Sequence, residues 1–194
     1  MANRKKIAIL FSGKGSNFAH IVNALHLKKI EVVVALTNNP DAEGIAVAQM
    51  HEIPLEIVDS RSYESREAFD AVIVEKLAGY KPDLTVLAGF MRILTPVFTN
   101  SVKAVNLHPS LLPRHKGLDA IKKSFDDEFE AGGVSVHYVS SELDGGEIVL
   151  QKEILKEGLD FPAYDKKIRT LEKDALREAI LQIVSEKKKN HEVL

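Results

Sequence analysis

An unbroken apolar run, Ile7-Ala8-Ile9-Leu10-Phe11, is the first patterned stretch of the chain. Such a run suits a parallel strand covered on both faces. Ser12-Gly13-Lys14-Gly15-Ser16-Asn17 follows it, and Phe18, Ile21, Val22 and Leu25 then recur at helical spacing. Valine-rich residues 31–36 predict a second strand, 42–50 a short helix, and 55–58 a third, short strand. Residues 62–79 carry Phe69, Val72, Ile73 and Leu77 at helical spacing, with Gly79 as the expected stop. Residues 84–87 and 102–108 predict a fourth and a fifth strand. Strands alternating with helices predict a parallel sheet with helices on both faces.

The pattern changes after His108. Two prolines punctuate a loop over 109–118, and a helix is expected over 119–130. Residues 134–139 and 147–154 each alternate apolar and polar positions, with Asp144-Gly145-Gly146 between them, which predicts an antiparallel pair. Ile168, Leu171, Ala175, Ala179 and Ile183 mark the apolar face of a long helix over 161–187. The expected fold is α/β: a Rossmann-like, mostly parallel sheet with helices on both faces, extended by an antiparallel pair of strands in the C-terminal half. Residues 1–194 read as a single domain.

Composition narrows the partners. A chain of 194 residues, 45% hydrophobic and 28% charged, is long enough for one good core. A net charge of −2 gives no global reason to expect nucleic acid or an anionic membrane. No apolar run approaches membrane-spanning length, and the run after the basic start is too short for a signal core. The lack of cysteine excludes disulfides, thiolate metal sites and cysteine nucleophiles, and suits a cytoplasmic location. Lys187-Lys188-Lys189 reads as a solvated helix end.

Candidate chemistry gathers at the ends of predicted strands. Asn106 and His108 are two apart, so on a strand they point to one side, and Pro109 ends the strand. Strand ends of this kind are where open α/β sheets bind ligands. A lone histidine on a buried strand is usually structural; its neighbours favour function here. Asp144 reads either as turn chemistry or as the group that orients the His108 imidazole and favours its protonated form. The glycine loop at 12–17 reads either as a plain turn capped by Asn17 or as an anion site formed by backbone N–H groups at a helix start. It matches neither a Walker loop nor a dinucleotide fingerprint. His137 alternates with Ser135 near a strand end, and a structural role is favoured for it over support of the site. His20, His26, His51, His115 and His191 fall in predicted surface helix or loop. A metal site built from His108, His115, His137 and Asp144 has no supporting spacing, and Ser110 has no nucleophile elbow. Asn106 and a protonated His108 aimed at one oxygen would form an oxyanion site, and the imidazole could exchange a proton with a nitrogen. With no convincing covalent nucleophile, direct acyl transfer between two bound substrates is expected, one of them phosphorylated.

Four stretches, Ser12-Gly13-Lys14-Gly15-Ser16-Asn17, Leu87-Ala88-Gly89-Phe90-Met91-Arg92-Ile93-Leu94, Asn106-Leu107-His108-Pro109-Ser110-Leu111-Leu112-Pro113 and Leu143-Asp144-Gly145-Gly146, stand in this order. In order and spacing, over nearly its whole length, the chain resembles the phosphoribosylglycinamide (glycinamide ribonucleotide) formyltransferases of the folate-dependent formyltransferase family. The resemblance implies transfer of a formyl group from 10-formyltetrahydrofolate to the primary amine of glycinamide ribonucleotide in de novo purine biosynthesis. It implies direct transfer through a tetrahedral intermediate stabilised by Asn106 and His108, with Asp144 assisting. It further implies that Gly15, Ser16, Asn17 and Glu172 hold the ribonucleotide. Arg66, Met91, Arg92, Ile93, Leu94, Asn106, Ser140, Ser141, Glu142, Leu143 and Asp144 would then serve the folate, which is a co-substrate, and no metal is implied. Residues 1–100 would form the phosphate- and nucleotide-binding half, and 101–194 the catalytic and folate-binding half. A monomer or homodimer is expected.

The methionyl-tRNA formyltransferases share the catalytic block but add a nucleic-acid-binding domain and begin with a different loop. The formyltetrahydrofolate hydrolases usually carry an N-terminal regulatory domain, whereas the catalytic sheet here starts near residue 5. A hydrolase on the same fold and a non-enzymatic nucleotide-binding module are the alternatives. Asp119 departs from relatives with histidine after Gly-Leu, and the chain ends soon after its last helix.

Overall fold

A computed structural model describes residues 4–186; the lysine run at 187–189 and His191 lie outside the described residues. The elements are β1 Lys5–Phe11, α1 Ser16–Leu25, β2 Ile30–Thr37, α2 Ile45–Met50, β3 Leu55–Ile57, α3 Arg66–Tyr80, β4 Leu84–Leu87, α4 Pro96–Thr99, β5 Ala104–His108, α5 Ala120–Asp126, β6 Ala131–Tyr138, β7 Ile148–Leu155 and α6 Phe161–Glu186. They build one seven-stranded sheet in the order β3-β2-β1-β4-β5-β6-β7. The strands from β1 to β5 pair in parallel, and β6 and β7 join antiparallel.

The unbroken apolar run of β1 is explained by two cores. Ile7, Ile9 and Phe11 face the layer that includes Phe18, Ile21, Ile168, Ala175 and Ile180. Ala8 and Leu10 face the opposite layer, with Phe69, Ile73, Leu77 and Phe98. Alternate side chains leave a strand on opposite faces, so a strand between two helical layers needs apolar residues at every position. Among the described residues, no helix is long and apolar enough to cross a membrane.

Several boundaries differ from the sequence reading. Gly79 lies within α3; the helix stops at Lys81, which is left-handed (φ 49) and precedes Pro82. The same helix begins at Arg66, because the Ser65 hydroxyl caps it by accepting from Ala68 N, and residues Ser60–Ser62 form a separate 3-10 turn. The helix expected over 119–130 ends at Asp126. Acidic residues at 126, 127, 128 and 130 oppose the negative end of the helix dipole. The short α4, opened by Pro96, was not anticipated.

Candidate active site

Strand β5 sits where the sheet changes from parallel to antiparallel. Its register sets Asn106 beside Leu87 of β4 and opposite His137 of β6, so these three residues form a row across three strands. His108 is opposite Ser135. A cleft over the row is lined by Leu87, Asn106, His137, Asp144 and Val139, by Arg92, Ile93 and Leu94, and by Ser140, Ser141, Glu142 and Leu143.

Asp144 is brought to the row by a tight return after β6. Gly146 permits the turn: a Cβ there would stand 1.7 Å from Tyr138 O. Asp144 itself is left-handed (φ 49), an aspartate-tolerant conformation. Its Oδ2 accepts from Gly117 N at 2.9 Å and lies 3.3 Å from His108 Nδ1. Its Oδ1 lies 3.6 Å from His137 Nε2, an ion-pair distance just beyond a hydrogen bond. All three side chains are buried.

The hydrogen bonds assign the ring protons. His108 Nε2 lies 2.8 Å from His115 O, and a carbonyl only accepts, so Nε2 carries hydrogen. Both ring nitrogens of His108 thus face acceptors, which a ring protonated on both nitrogens satisfies in full. His137 Nδ1 donates likewise to Tyr138 O at 2.9 Å, which turns Nε2 toward Asp144. Burial by itself pushes the Asp144 carboxyl up. The contact with His137, the Gly117 N–H bond and the neighbouring imidazole charges outweigh it, and the carboxyl sits below its ordinary range. The loops on either side of the site are joined twice, by Gly117 N to Asp144 and by Lys116 Nζ to Glu142 at 2.6 Å.

The glycine loop at the end of β1 has an exposed helix start beside it. Gly15 is left-handed (φ 70) and precedes α1 with no side-chain cap. Asn17 is therefore not the cap considered for it; it lies inside the helix, and its buried Oδ1 has no hydrogen-bond partner. A Cβ on Gly15 would stand 2.7 Å from Gly44 Cα, so the loop closes against the chain before α2. A second cleft beside this loop is lined by Ser12, Gly13, Asn38, Asn39, Asp59, Ser60, Arg61 and Met91. Ser12 Oγ accepts from Met91 N at 2.7 Å, which ties the glycine loop to the segment before Arg92.

The expected site residues are thus partly gathered. Arg92, Ile93, Leu94, Asn106, Asp144 and Ser140 to Leu143 share the first cleft. Met91 faces the second, and Arg66, exposed at the first turn of α3, lines neither. His108 is behind Asp144 and does not line the cleft wall. Glu172 is buried on α6 with Arg169 at 3.5 Å; burial raises its carboxyl, and the arginine only partly counters this. His137 faces both the cleft and Asp144, more than the sequence reading allowed it; its signal was strand alternation, but the register opposite Asn106 was not legible. The parts played by His115 and Gly117 are made by backbone atoms, for which the side chains give no signal. His26 is structural, its Nδ1 accepting from Val32 N at 2.9 Å.

Residues 5–180 match the family model described as formyl transferase. The chain is 39% identical over 152 residues to a phosphoribosylglycinamide formyltransferase of Escherichia coli, covering 76% of this chain and 72% of that protein. A phosphoribosylglycinamide formyltransferase of Bacillus subtilis is 37% identical over 154 residues, covering 77% of this chain and 79% of that one. A crystal structure of phosphoribosylglycinamide formyltransferase from Campylobacter jejuni superposes with a TM-score of 0.91 at 46% identity, over 94% of this chain and 99% of that one.

Proposed function

The chain belongs to the formyl transferase family, and we propose on that footing that it transfers a formyl group from 10-formyltetrahydrofolate to the primary amine of glycinamide ribonucleotide in purine biosynthesis. The observation that carries the reading is the buried Asp144 carboxylate, 3.3 Å from His108 Nδ1, at a cleft that Asn106 also lines. The cleft wall suits a flat heterocycle with a polar edge: Leu87, Ile93, Leu94 and Val139 are apolar, and Arg92, Asn106, His137 and Asp144 supply the polar groups.

In this reading the substrate amine attacks the formyl carbon. The Asn106 amide N–H stabilises the oxygen as negative charge develops on it. The bond from the formyl carbon to the folate nitrogen then breaks. One proton leaves the attacking nitrogen and one reaches the departing nitrogen, with the Asp144 and His108 pair holding the proton between these events. No protein nucleophile is required, so orientation of the two substrates supplies much of the rate. The Gly15, Ser16 and Asn17 backbone at the start of α1 would hold the phosphate, since unclaimed N–H groups and the helix dipole both favour an anion. Glu172 would accept from the ribose hydroxyls. The absence of cysteine suits a cytoplasmic setting.

A formyl-transfer assay with both substrates, the ribonucleotide and its phosphate-free analogue tests this. Amine-dependent loss of the formyl group, with a large loss of kcat/KM for the analogue, is expected. Release of formate at full rate without the amine would instead identify a hydrolase, and no affinity for the folate would identify a binding module.

A further inference from the structure

We infer that Asp127 is a positioning residue for formyl transfer, acting through His115 on the His108 imidazole. The inference rests on the role given to His108 above. His108 Nε2 donates to the carbonyl of His115, so the orientation of the ring depends on where that peptide stands. His115 is left-handed (φ 54), a conformation that disfavours a non-glycine residue by about 1–2 kcal/mol. The peptide is therefore held from outside.

Asp127 supplies the hold. Its Oδ2 takes His115 Nε2 at 2.6 Å and lies 3.7 Å from Arg114, and its Oδ1 takes Lys156 Nζ at 2.6 Å. Lys156 in turn donates to the carbonyls of Ser124 and Asp127 at 3.0 and 2.9 Å, which fixes the end of α5. Burial pushes the Asp127 carboxyl up, but the bonds from Lys156 and His115 prevail and keep it ionised below its ordinary range. None of Asp127, His115 and Lys156 lines the cleft, so the effect on chemistry passes through the loop that gives His115 O to His108 and Gly117 N to Asp144.

The rest of the loop has separate anchors. Ser135 Oγ donates to Ser110 O at 2.7 Å and accepts from Leu112 N at 2.9 Å, and Gln151 Nε2 donates to Leu112 O at 2.9 Å. Removing the Asp127 carboxylate leaves these bonds intact and leaves Lys156 on its carbonyls. The fold should survive while the peptide at 115 loosens. A ring that loses its Nε2 acceptor no longer presents Nδ1 to Asp144 in one orientation.

The test is Asp127→Ala, Asp127→Asn and His115→Ala in the full chain, followed by kcat, by KM for both substrates, and by ¹⁵N signals of the His108 ring. A misplacement of about 1 Å remote from the chemistry costs ~10²-fold, so kcat for Asp127→Ala and His115→Ala should fall about tenfold to hundredfold with both KM values near wild type. The His108 Nε2–H signal should move as the ring loses its fixed acceptor. Asp127→Asn keeps one oxygen for two donors, Lys156 Nζ and His115 Nε2, so kcat should recover only in part, between Asp127→Ala and wild type. Wild-type kcat in His115→Ala, or unmoved His108 signals in Asp127→Ala whatever its melting temperature, overturns the inference. His108→Ala separates the two levels: if it retains full activity the role of His108 fails, whereas an inactive His108→Ala beside a fully active Asp127→Ala defeats the positioning role alone.

Discussion

Asp144→Asn separates charge from shape at the centre of the site. The amide keeps one acceptor oxygen, which can still take the Gly117 N–H, and gains an NH₂ that can donate to the His137 Nε2 lone pair. In the variant, with the carboxylate gone, a neutral His137 that keeps its Nδ1–H on Tyr138 O has a lone pair at Nε2. The hydrogen bonds therefore nearly survive, and what disappears is a charge standing 3.3 Å and 3.6 Å from two imidazoles. With side chains 6% and 7% exposed, the His108 and Asp144 pair at 3.3 Å is scarcely screened and is worth about 5 kcal/mol at an effective dielectric constant of ~20. Desolvation of both groups takes back a large part of this. A positioned acid or base contributes ~10²–10⁴-fold, and the lower end, about 3 kcal/mol, lies within what this pair can supply. Steady-state formyl transfer should show kcat lower by about 10²-fold and KM for both substrates nearly unchanged. Melting curves against pH supply a second reading. A carboxyl lowered on folding stabilises the protein above the ordinary carboxylate range, and this stability is lost as pH falls through the lowered value. The variant should lack that part of the acid slope. A variant with kcat close to wild type, or with an unchanged acid slope, would refute the reasoning.

Gly15→Ala forces a Cβ to 2.7 Å from Gly44 Cα at a φ of 70, so the loop must open; the left-handed penalty alone is about 1–2 kcal/mol. The melting temperature should fall, and KM for the ribonucleotide should rise more than kcat falls. Glu172→Gln works in the opposite sense on stability. Burial raises this carboxyl, so stability falls as pH rises from its unfolded to its folded value, and the variant should be at least as stable as wild type at neutral pH with that slope removed. A hydrogen bond to a charged group is worth about 1.5–3 kcal/mol, so its KM for the ribonucleotide should rise about tenfold to hundredfold; an unchanged KM would remove Glu172 from the substrate site.

What was legible in the chain follows from what each pattern encodes. Strand β4 falls at Leu84–Leu87, as read, because both faces are buried and the apolar run has the length of the strand. Helix ends were less legible, since the end of α3 turns on Lys81 before Pro82 rather than on Gly79. The pairing of His108 with Asp144 was an expectation from two predicted strand ends, and it stands at 3.3 Å. The place of His137 was hidden because it depends on the register of β6 against β5, and a slip of one residue would turn it to the other face. Backbone contacts from His115 and Gly117 leave no trace in residue type.

With the phosphate at the glycine loop, as proposed above, the sheet order also limits what the substrate can be. Leu10 of β1 pairs with Leu87 of β4, Leu87 with Asn106 of β5, and Asn106 with His137 of β6. The glycine loop leaves β1 one residue after Phe11, so it lies two strands away from Asn106 in the same row. Neighbouring strands are about 4.8 Å apart, which sets the loop and the amide about 10 Å apart along the sheet. A substrate whose anion rests at the loop must reach that far to put its reacting nitrogen beside Asn106. A phosphate on a ribose that carries an extended amine on its far side has the required reach; a free amino acid or an amine phosphorylated next to its nitrogen does not. The Asn106 cleft, lined from 92–94 and 140–144, shares no lining residue with the cleft beside the loop. On the proposed placement of the phosphate, strand spacing by itself favours a long, phosphorylated amine.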